Sequence, residues 1–249
     1  MKKDVKIEVC VDSVESAMIA QQAGAHRIEL CNNLIEGGTT PSAASIEIAR
    51  KHLKIGLNVI IRPRGGDFLY SALELEIIKK DIQIAKSLGT EGVVFGMLTP
   101  EGKINEEICK SLIEIARPMS VTFHRAFDLC VDPFEGMETL INLGVDRILT
   151  SGQKNKAEDG LTLLTELVET ANNRIIIMPG SGINEQNFSK IMNQCKAREY
   201  HVSCRTEIES KMLFRREDVK MGSFPNYNEY AYKQNDLQKL KSIIHVINH

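Results

Sequence analysis

At 249 residues, the chain is long enough to form one large α/β domain or two small ones. A net charge of −2 gives no electrostatic footprint for nucleic acid or for an anionic membrane surface, so we expect neither as a partner. No apolar run approaches the roughly 18 to 20 residues of a membrane helix, and the first residues lack the apolar core of a signal peptide.

The cysteine pattern indicates a reducing environment. The cysteines are scattered along the chain without a CxxC pair, which is not the spacing of a disulfide framework. We therefore expect free thiols and a cytoplasmic location. The cysteines are Cys10, Cys31, Cys109, Cys130, Cys195 and Cys204.

Short apolar strands alternate with longer helical patterns along most of the chain. The predicted strands cover residues 5–10, 27–31, 57–61, 92–95, 120–124, 147–149, 174–178 and 199–203. The predicted helices cover residues 13–23, 42–52, 73–88, 105–116, 133–142, 160–171 and 185–194. After residue 205 the sequence becomes polar and irregular, and residues 229–247 are predicted to form a closing helix.

Eight βα units in about 250 residues predict a single-domain TIM (β/α)8 barrel with parallel strands. The barrel is expected over residues 5–205, followed by a C-terminal helical extension over residues 206–249. Gly24, Gly89 and Gly144 each end a helix just before a strand, which supports the repeat. An open doubly wound sheet is the alternative, but no GxGxxG motif opens a helix and no organic cofactor is indicated.

Strand alternation predicts an unusually polar barrel interior. Because successive side chains of a strand point to opposite faces, Glu8 shares a face with Cys10, and Glu29 shares a face with Cys31. The inward face would also carry charged and titratable residues from other strands, namely Arg62, His124, Glu199 and His201. Such groups are costly to bury unless they pair, so we expect either a purely structural network or a functional site at the barrel mouth.

Several of these residues suit a site for a small anion. His124 is a candidate general acid or base, with Asp128, Glu8 and Glu29 as carboxylate partners, although a lone histidine is also a common core residue. The candidate anion-binding residues are Arg62, Arg64, Arg125, Ser151, Gly180, Ser181 and Gly182. Asp67 and His201 are expected to complete the pocket. The Gly-Ser-Gly turn, however, is equally typical of a simple tight turn.

The two rim cysteines indicate a second kind of chemistry. If adjacent strands align, Cys10 and Cys31 are neighbours, and paired thiolates are soft ligands that select Cu(I). Zinc is the rival ion, but it prefers four ligands, and only Cys10, Cys31, His201 and a carboxylate are on offer. The alternative is that both cysteines are buried, reduced and act only as small apolar residues.

Seven segments together resemble the CutC family, over about residues 7 to 205. They are EVCVDS at 8–13, IELC at 28–31, EGGTTPS at 36–42, RPRGGDF at 62–68, VTFHRAFD at 121–128, ILTSG at 148–152 and MPGSGI at 178–183. The resemblance implies a cytoplasmic TIM barrel, usually oligomeric, with a role in copper homeostasis. It also implies that the copper-binding cysteines of the family correspond to Cys10 and Cys31.

Two hypotheses of different classes follow, with a third as the default. The first is a Cu(I)-binding, copper-handling protein that uses Cys10 and Cys31. The second is an enzyme acting on a small anionic or phosphorylated metabolite, with His124 as acid or base and the arginines as a clamp. The third is a scaffold whose charges only order the barrel.

Overall fold

Parallel strands alternate with helices in chain order, as the sequence predicts. A computed structural model describes residues 5–216, 218–221 and 228–248. The barrel strands are β1 (Lys6–Val11), β2 (Arg27–Leu30), β3 (Gly56–Ile60), β4 (Gly92–Phe95), β5 (Ser120–Phe123), β6 (Arg147–Thr150), β7 (Ile176–Pro179) and β8 (Glu199–Val202). They pair in the order β7-β6-β5-β4-β3-β2-β1-β8. Since β7 and β8 also lie in contact, the sheet forms a nearly closed barrel, and the predicted TIM-barrel fold is confirmed.

Helices connect the strands on the outside of the barrel. They are α1 (Val14–Ala23), α2 (Ala43–His52), α3 (Ala72–Ser87), α4 (Glu106–Ala116), α5 (Pro133–Asn142), α6 (Leu161–Ala171), α7 (Phe188–Cys195) and α8 (Leu237–Asn248). The predicted N-caps at Ser13, Asn105 and Asp132 each accept a backbone hydrogen bond from the first turn. Across the described residues, no helix is both long enough and apolar enough to cross a lipid bilayer.

The strand faces separate an apolar outer layer from a polar interior. Ile7, Val9 and Ile28 are fully buried in the main apolar core between strands and helices. Cys10 and Cys31 belong instead to a small separate cluster with Ile60. The register pairs Glu8 with Arg27 and Cys10 with Glu29, so the polar side chains of β1 and β2 lie at matched heights.

Two predictions about element boundaries are wrong. Residues 231–235 were expected in the closing helix, but they form β10 (Ala231–Asn235), which pairs antiparallel with β9 (Arg205–Glu209). Asn235 anchors this hairpin by donating to the carbonyl of Cys10, and tertiary contacts of this kind override helical periodicity. The seventh helix begins at Phe188, because Asn184 accepts the N–H groups of Gln186 and Asn187 in a turn of its own.

Candidate functional site

A cavity of about 300 Å³ opens at the C-terminal ends of the strands. Its lining includes eight of the residues that the sequence singled out, namely Cys10, Glu29, Cys31, Arg62, His124, Arg125, Asp128 and His201. Six further residues complete it: Glu36, Gly37, Ile60, Phe68, Leu129 and Leu149. This is the end of the barrel at which TIM-barrel proteins place their functional residues.

Cys10 and Cys31 lie side by side at the base of the cavity. Cys31 follows β2 directly, and its N–H donates to the carbonyl of Val11, which extends the pairing of β1 and β2 to the rim. The two Sγ atoms are 3.8 Å apart, and the residues are 8% and 2% exposed. Gly38 lies against Cys31 in a left-handed conformation, with φ of +97°, where any side chain would be strained and would press on Ile60.

His201 and Glu29 form an ion pair beside the thiols. His201 Nε2 is 2.7 Å from Glu29 Oε2. Burial opposes the charged imidazole, but hydrogen bonds to Cys10 and Glu29 outweigh burial and raise the pKa of His201 well above its usual value. The imidazolium is therefore present at neutral pH.

The two thiols have different pKa values. A hydrogen bond from Cys31 acts against burial and, with the help of His201, lowers the pKa of Cys10 to about 7. The same hydrogen bond to Cys10 raises the pKa of Cys31 well above 9.0. The pair therefore loses its first proton near neutral pH, and Cys31 keeps its own.

We expect thiolate absorbance in the ultraviolet to rise with a midpoint around pH 7 in the reduced protein. The Cys10→Ser variant should lack this step, since burial raises the pKa of Cys109 and of Cys204 to about 12 and that of Cys130 to about 11. In the His201→Asn variant the midpoint should move to higher pH, because the imidazolium that stabilises the thiolate is gone. A wild-type titration with no step below the ordinary thiol range would contradict this assignment.

A buried charge network lies one layer below the thiols. Glu8, which is 0% exposed, accepts from Arg27 Nε at 2.5 Å and from Asn58 Nδ2 at 2.8 Å. Arg27 also pairs with Glu199, which accepts from Arg147 Nε at 3.0 Å. Glu8 does not line the cavity, and one of its oxygens neutralises the arginines of the barrel. A carboxylate oxygen of Glu8 also lies within 4.8 Å of ligand atoms of Glu29 and His201, a group that could hold a metal ion.

Arg62 is a buried cation held by backbone carbonyls. Its Nη atoms donate to Glu36 O at 2.8 Å, Gly38 O at 3.0 Å and Gly66 O at 2.8 Å. Its Nε atom is buried without a hydrogen-bond partner in the described part of the chain. The guanidinium lies over the ring of Phe68, with 5.0 Å between Cζ and the ring centroid.

His124 is neutral at physiological pH. Burial, together with the positive charge of Arg62, lowers its pKa to about 3. Its Nδ1 accepts the N–H of Ala126 at 3.2 Å, so the ring proton is on Nε2. Within the described residues Nε2 has no partner, and the ring packs against Phe68 with 4.9 Å between centroids.

Arg125 and Asp128 bind together the loops that follow β5 and β6. Asp128 accepts from Arg125 Nε at 2.7 Å, and its Oδ1 also accepts from Thr150 Oγ1 at 2.5 Å. It receives the N–H groups of Ser151 and Gln153 as well. With so many donors on one carboxylate, Asp128 holds the two loops together at the rim.

The remaining predicted residues lie outside the cavity lining. Arg64 is partly exposed and pairs with Asp67 Oδ1 at 3.0 Å and with Glu74 Oε1 at 2.6 Å. The Gly180 N–H donates to Thr150 O at 2.9 Å, so it is not available to an anion. Ser151 and Ser181 accept from Arg125, and Gly182 packs against the side chain of Lys156.

Comparison with known proteins identifies the family. The family model described as CutC family matches residues 5–206. The chain belongs to the CutC family. A mouse relative, named copper homeostasis protein cutC homolog, is 48% identical over 237 residues, which cover 95% of this chain and 87% of the relative. A CutC family protein from Parabacteroides distasonis is 50% identical over 239 residues, covering 96% and 98%.

Solved structures support the same assignment. A CutC structure from Streptococcus agalactiae matches with a TM-score of 0.77 and 35% identity, covering 80% of this chain and 98% of the other. Phosphoribosylanthranilate isomerase from Thermotoga maritima matches with a TM-score of 0.58 and 14% identity, covering 98% of each chain. The second match concerns the barrel fold alone.

The contributors to the site of this CutC family member that were given no role from the sequence include Phe68, Leu149 and Arg147. Phe68 packs on both Arg62 and His124, and it closes the RPRGGDF segment. Leu149 lines the cavity from the inward face of β6. Arg147 neutralises Glu199. Strand alternation could have placed Arg147 in the barrel interior, because it lies on the same face of β6 as Leu149.

Proposed function

We propose that this CutC family protein binds Cu(I) through the sulfurs of Cys10 and Cys31 and serves in cytoplasmic copper handling. The supporting observation is the separation of 3.8 Å between two buried, unbridged thiols at the barrel mouth. Relatives at 48% identity carry the name copper homeostasis protein, which agrees with this role. The reducing cytoplasm suits both Cu(I) and free thiols.

The distance between the sulfurs fits a single metal ion. Metal–thiolate bonds of about 2.3 Å, the length known from zinc sites, reach across a gap of up to about 4.6 Å. Both sulfurs can therefore contact one ion with little movement of the strands. Since ligands must lose their protons, the low pKa of Cys10 favours binding at neutral pH.

The donors around the thiols favour Cu(I) over zinc. Glu29 lies close enough to join Cys10 and Cys31, with all three ligand atoms within 4.8 Å of one another, but it offers a hard oxygen. His201 is paired with Glu29 at 2.7 Å, so its imidazole would have to leave this partner and lose its proton to bind a metal ion. Two soft sulfurs suit Cu(I), whereas a structural zinc site uses four ligands.

A competition titration tests this proposal. Reduced, metal-free protein is titrated with Cu(I) against a chromophoric chelator, and in parallel with Zn(II). We expect one tightly bound Cu(I) per chain and much weaker binding of Zn(II). Tighter binding of Zn(II) would replace the copper proposal with a zinc site, and no binding of either ion would leave the thiols as core residues.

The enzymatic hypothesis has less support for its proposed acid or base. A pKa of about 3 keeps His124 neutral, which makes it a poor proton donor near pH 7, and Asp128 is saturated with donors. The buried cation Arg62 is the observation that still favours an anionic ligand.

A homo-oligomer and a single domain over residues 1–249 remain predictions, the first from the family resemblance and the second from the continuous pattern of strands and helices.

A further inference from the structure

Two buried N–H donors in the lining of one cavity lack a hydrogen-bond partner at normal distance in the part of the chain that the structure describes. Arg62 Nε and His124 Nε2 have no hydrogen-bond partner at normal distance among the described residues, and the equally unpaired Tyr70 hydroxyl lies near the Arg62 guanidinium. Each of these residues is only 5% exposed. Buried donors are almost always satisfied in folded proteins, so a pair of them in one cavity indicates a missing acceptor.

Phe68 packs against both residues. Its ring lies 5.0 Å from Arg62 Cζ and 4.9 Å from the centroid of His124. The positive charge of Arg62 also contributes, after burial, to the lowered pKa of His124. The two residues therefore line the same cavity and contact the same ring.

The charge of Arg62 is not balanced by a carboxylate. Backbone carbonyls accept from its Nη atoms, and in the described chain no acidic oxygen lies within 4 Å of its guanidinium. Every other buried arginine of the interior, Arg27 and Arg147, is paired with a glutamate. A buried cation without a counter-charge favours an anionic ligand.

We propose that Arg62 and His124 form a binding site for a small organic monocarboxylate, whose two oxygens accept from Arg62 Nε and His124 Nε2. The single positive charge of Arg62 matches one negative charge. Neutral His124 adds a donor without adding charge, so a phosphate dianion is less well matched. Ile60, Leu129 and Leu149 line the same cavity and provide apolar contact for the body of the ligand.

This site differs from the proposed copper site in its ligands and its chemistry. Copper binding depends on the sulfurs of Cys10 and Cys31, whereas the carboxylate depends on nitrogen donors that follow β3 and β5. The experiment uses metal-free protein, so its result does not depend on copper binding.

Nuclear magnetic resonance of ¹⁵N-arginine-labelled, metal-free protein tests the proposal, because the buried Nε–H of Arg62 reports directly on a new acceptor. Sodium acetate and sodium phosphate are titrated separately at constant ionic strength. We expect acetate to shift the Arg62 Nε–H signal saturably. In the His124→Phe variant, which keeps an aromatic ring but removes the second donor, the apparent Kd should rise about tenfold. The Arg64→Lys variant, at an arginine outside the cavity, should bind acetate like the wild type.

The outcomes are distinct. The absence of a saturable shift in the wild-type protein overturns the site, and this measurement does not depend on whether a variant folds. Equal acetate affinity in the His124→Phe variant overturns the pairing of the two donors. Tighter binding of phosphate than of acetate overturns the assignment to a monocarboxylate.

Discussion

Replacing both rim cysteines, in the Cys10→Ser/Cys31→Ser variant, is expected to weaken Cu(I) binding by about a thousandfold or more. Serine keeps the size of the side chain, but its hydroxyl is a hard ligand that does not ionise near neutral pH. Both single variants should also lose most of the affinity, because each leaves one sulfur. Competition with a Cu(I) chelator measures the change.

Cys109→Ala is the matched control for this experiment. Cys109 is another fully buried thiol, but it lies in α4 away from the cavity lining. Burial raises its pKa to about 12, so it provides no thiolate near neutral pH. We expect the Cys109→Ala variant to bind Cu(I) with the same affinity as the wild type. Retained affinity in the double variant would show that copper binds elsewhere.

The Arg27→Met variant is expected to lose about 3–5 kcal/mol of the free energy of unfolding. Methionine fills much of the volume of arginine, but Glu8 and Glu199 are left buried with less positive charge around them. Arg174→Ala provides the contrast, because the pair of Arg174 with Glu138 is largely solvent-exposed and should contribute little. Urea denaturation of both variants gives the comparison.

The pH dependence of stability gives a second measurement of the same network. Burial alone would raise the pKa of Glu8, but Arg27 and the other nearby cations lower it below 4.5. A lowered pKa in the folded state adds stability above pH 4.5, and that stability is lost as the pH falls further. In the Arg27→Met variant this dependence should weaken. Equal stability of the variant and the wild type would contradict a stabilising role for the network.

The barrel and much of its interior were predictable because both depend on local periodicity. Alternation along β1 and β2 predicts which side chains face inward, and parallel pairing then brings Glu8 beside Arg27 and Cys10 beside Cys31. Helix caps such as Ser13 depend only on neighbouring residues. These features need no knowledge of distant contacts.

The roles of the arginines were not predictable in the same way. Arg62 and Arg64 are two residues apart on the same segment, yet Arg62 is buried at the rim and Arg64 pairs on the surface with Glu74. The difference arises after β3 ends, where alternation no longer fixes direction. The hairpin of β9 and β10 was missed for a related reason, since its pairing joins segments more than twenty residues apart.

The most direct test of the copper proposal is X-ray absorption at the copper edge of the Cu(I)-loaded protein. The proposal predicts two sulfur neighbours around copper in the wild type, with one lost in each single variant, Cys10→Ser and Cys31→Ser. A copper environment made of nitrogen and oxygen, or a sulfur signal that persists when both cysteines are replaced, would contradict it.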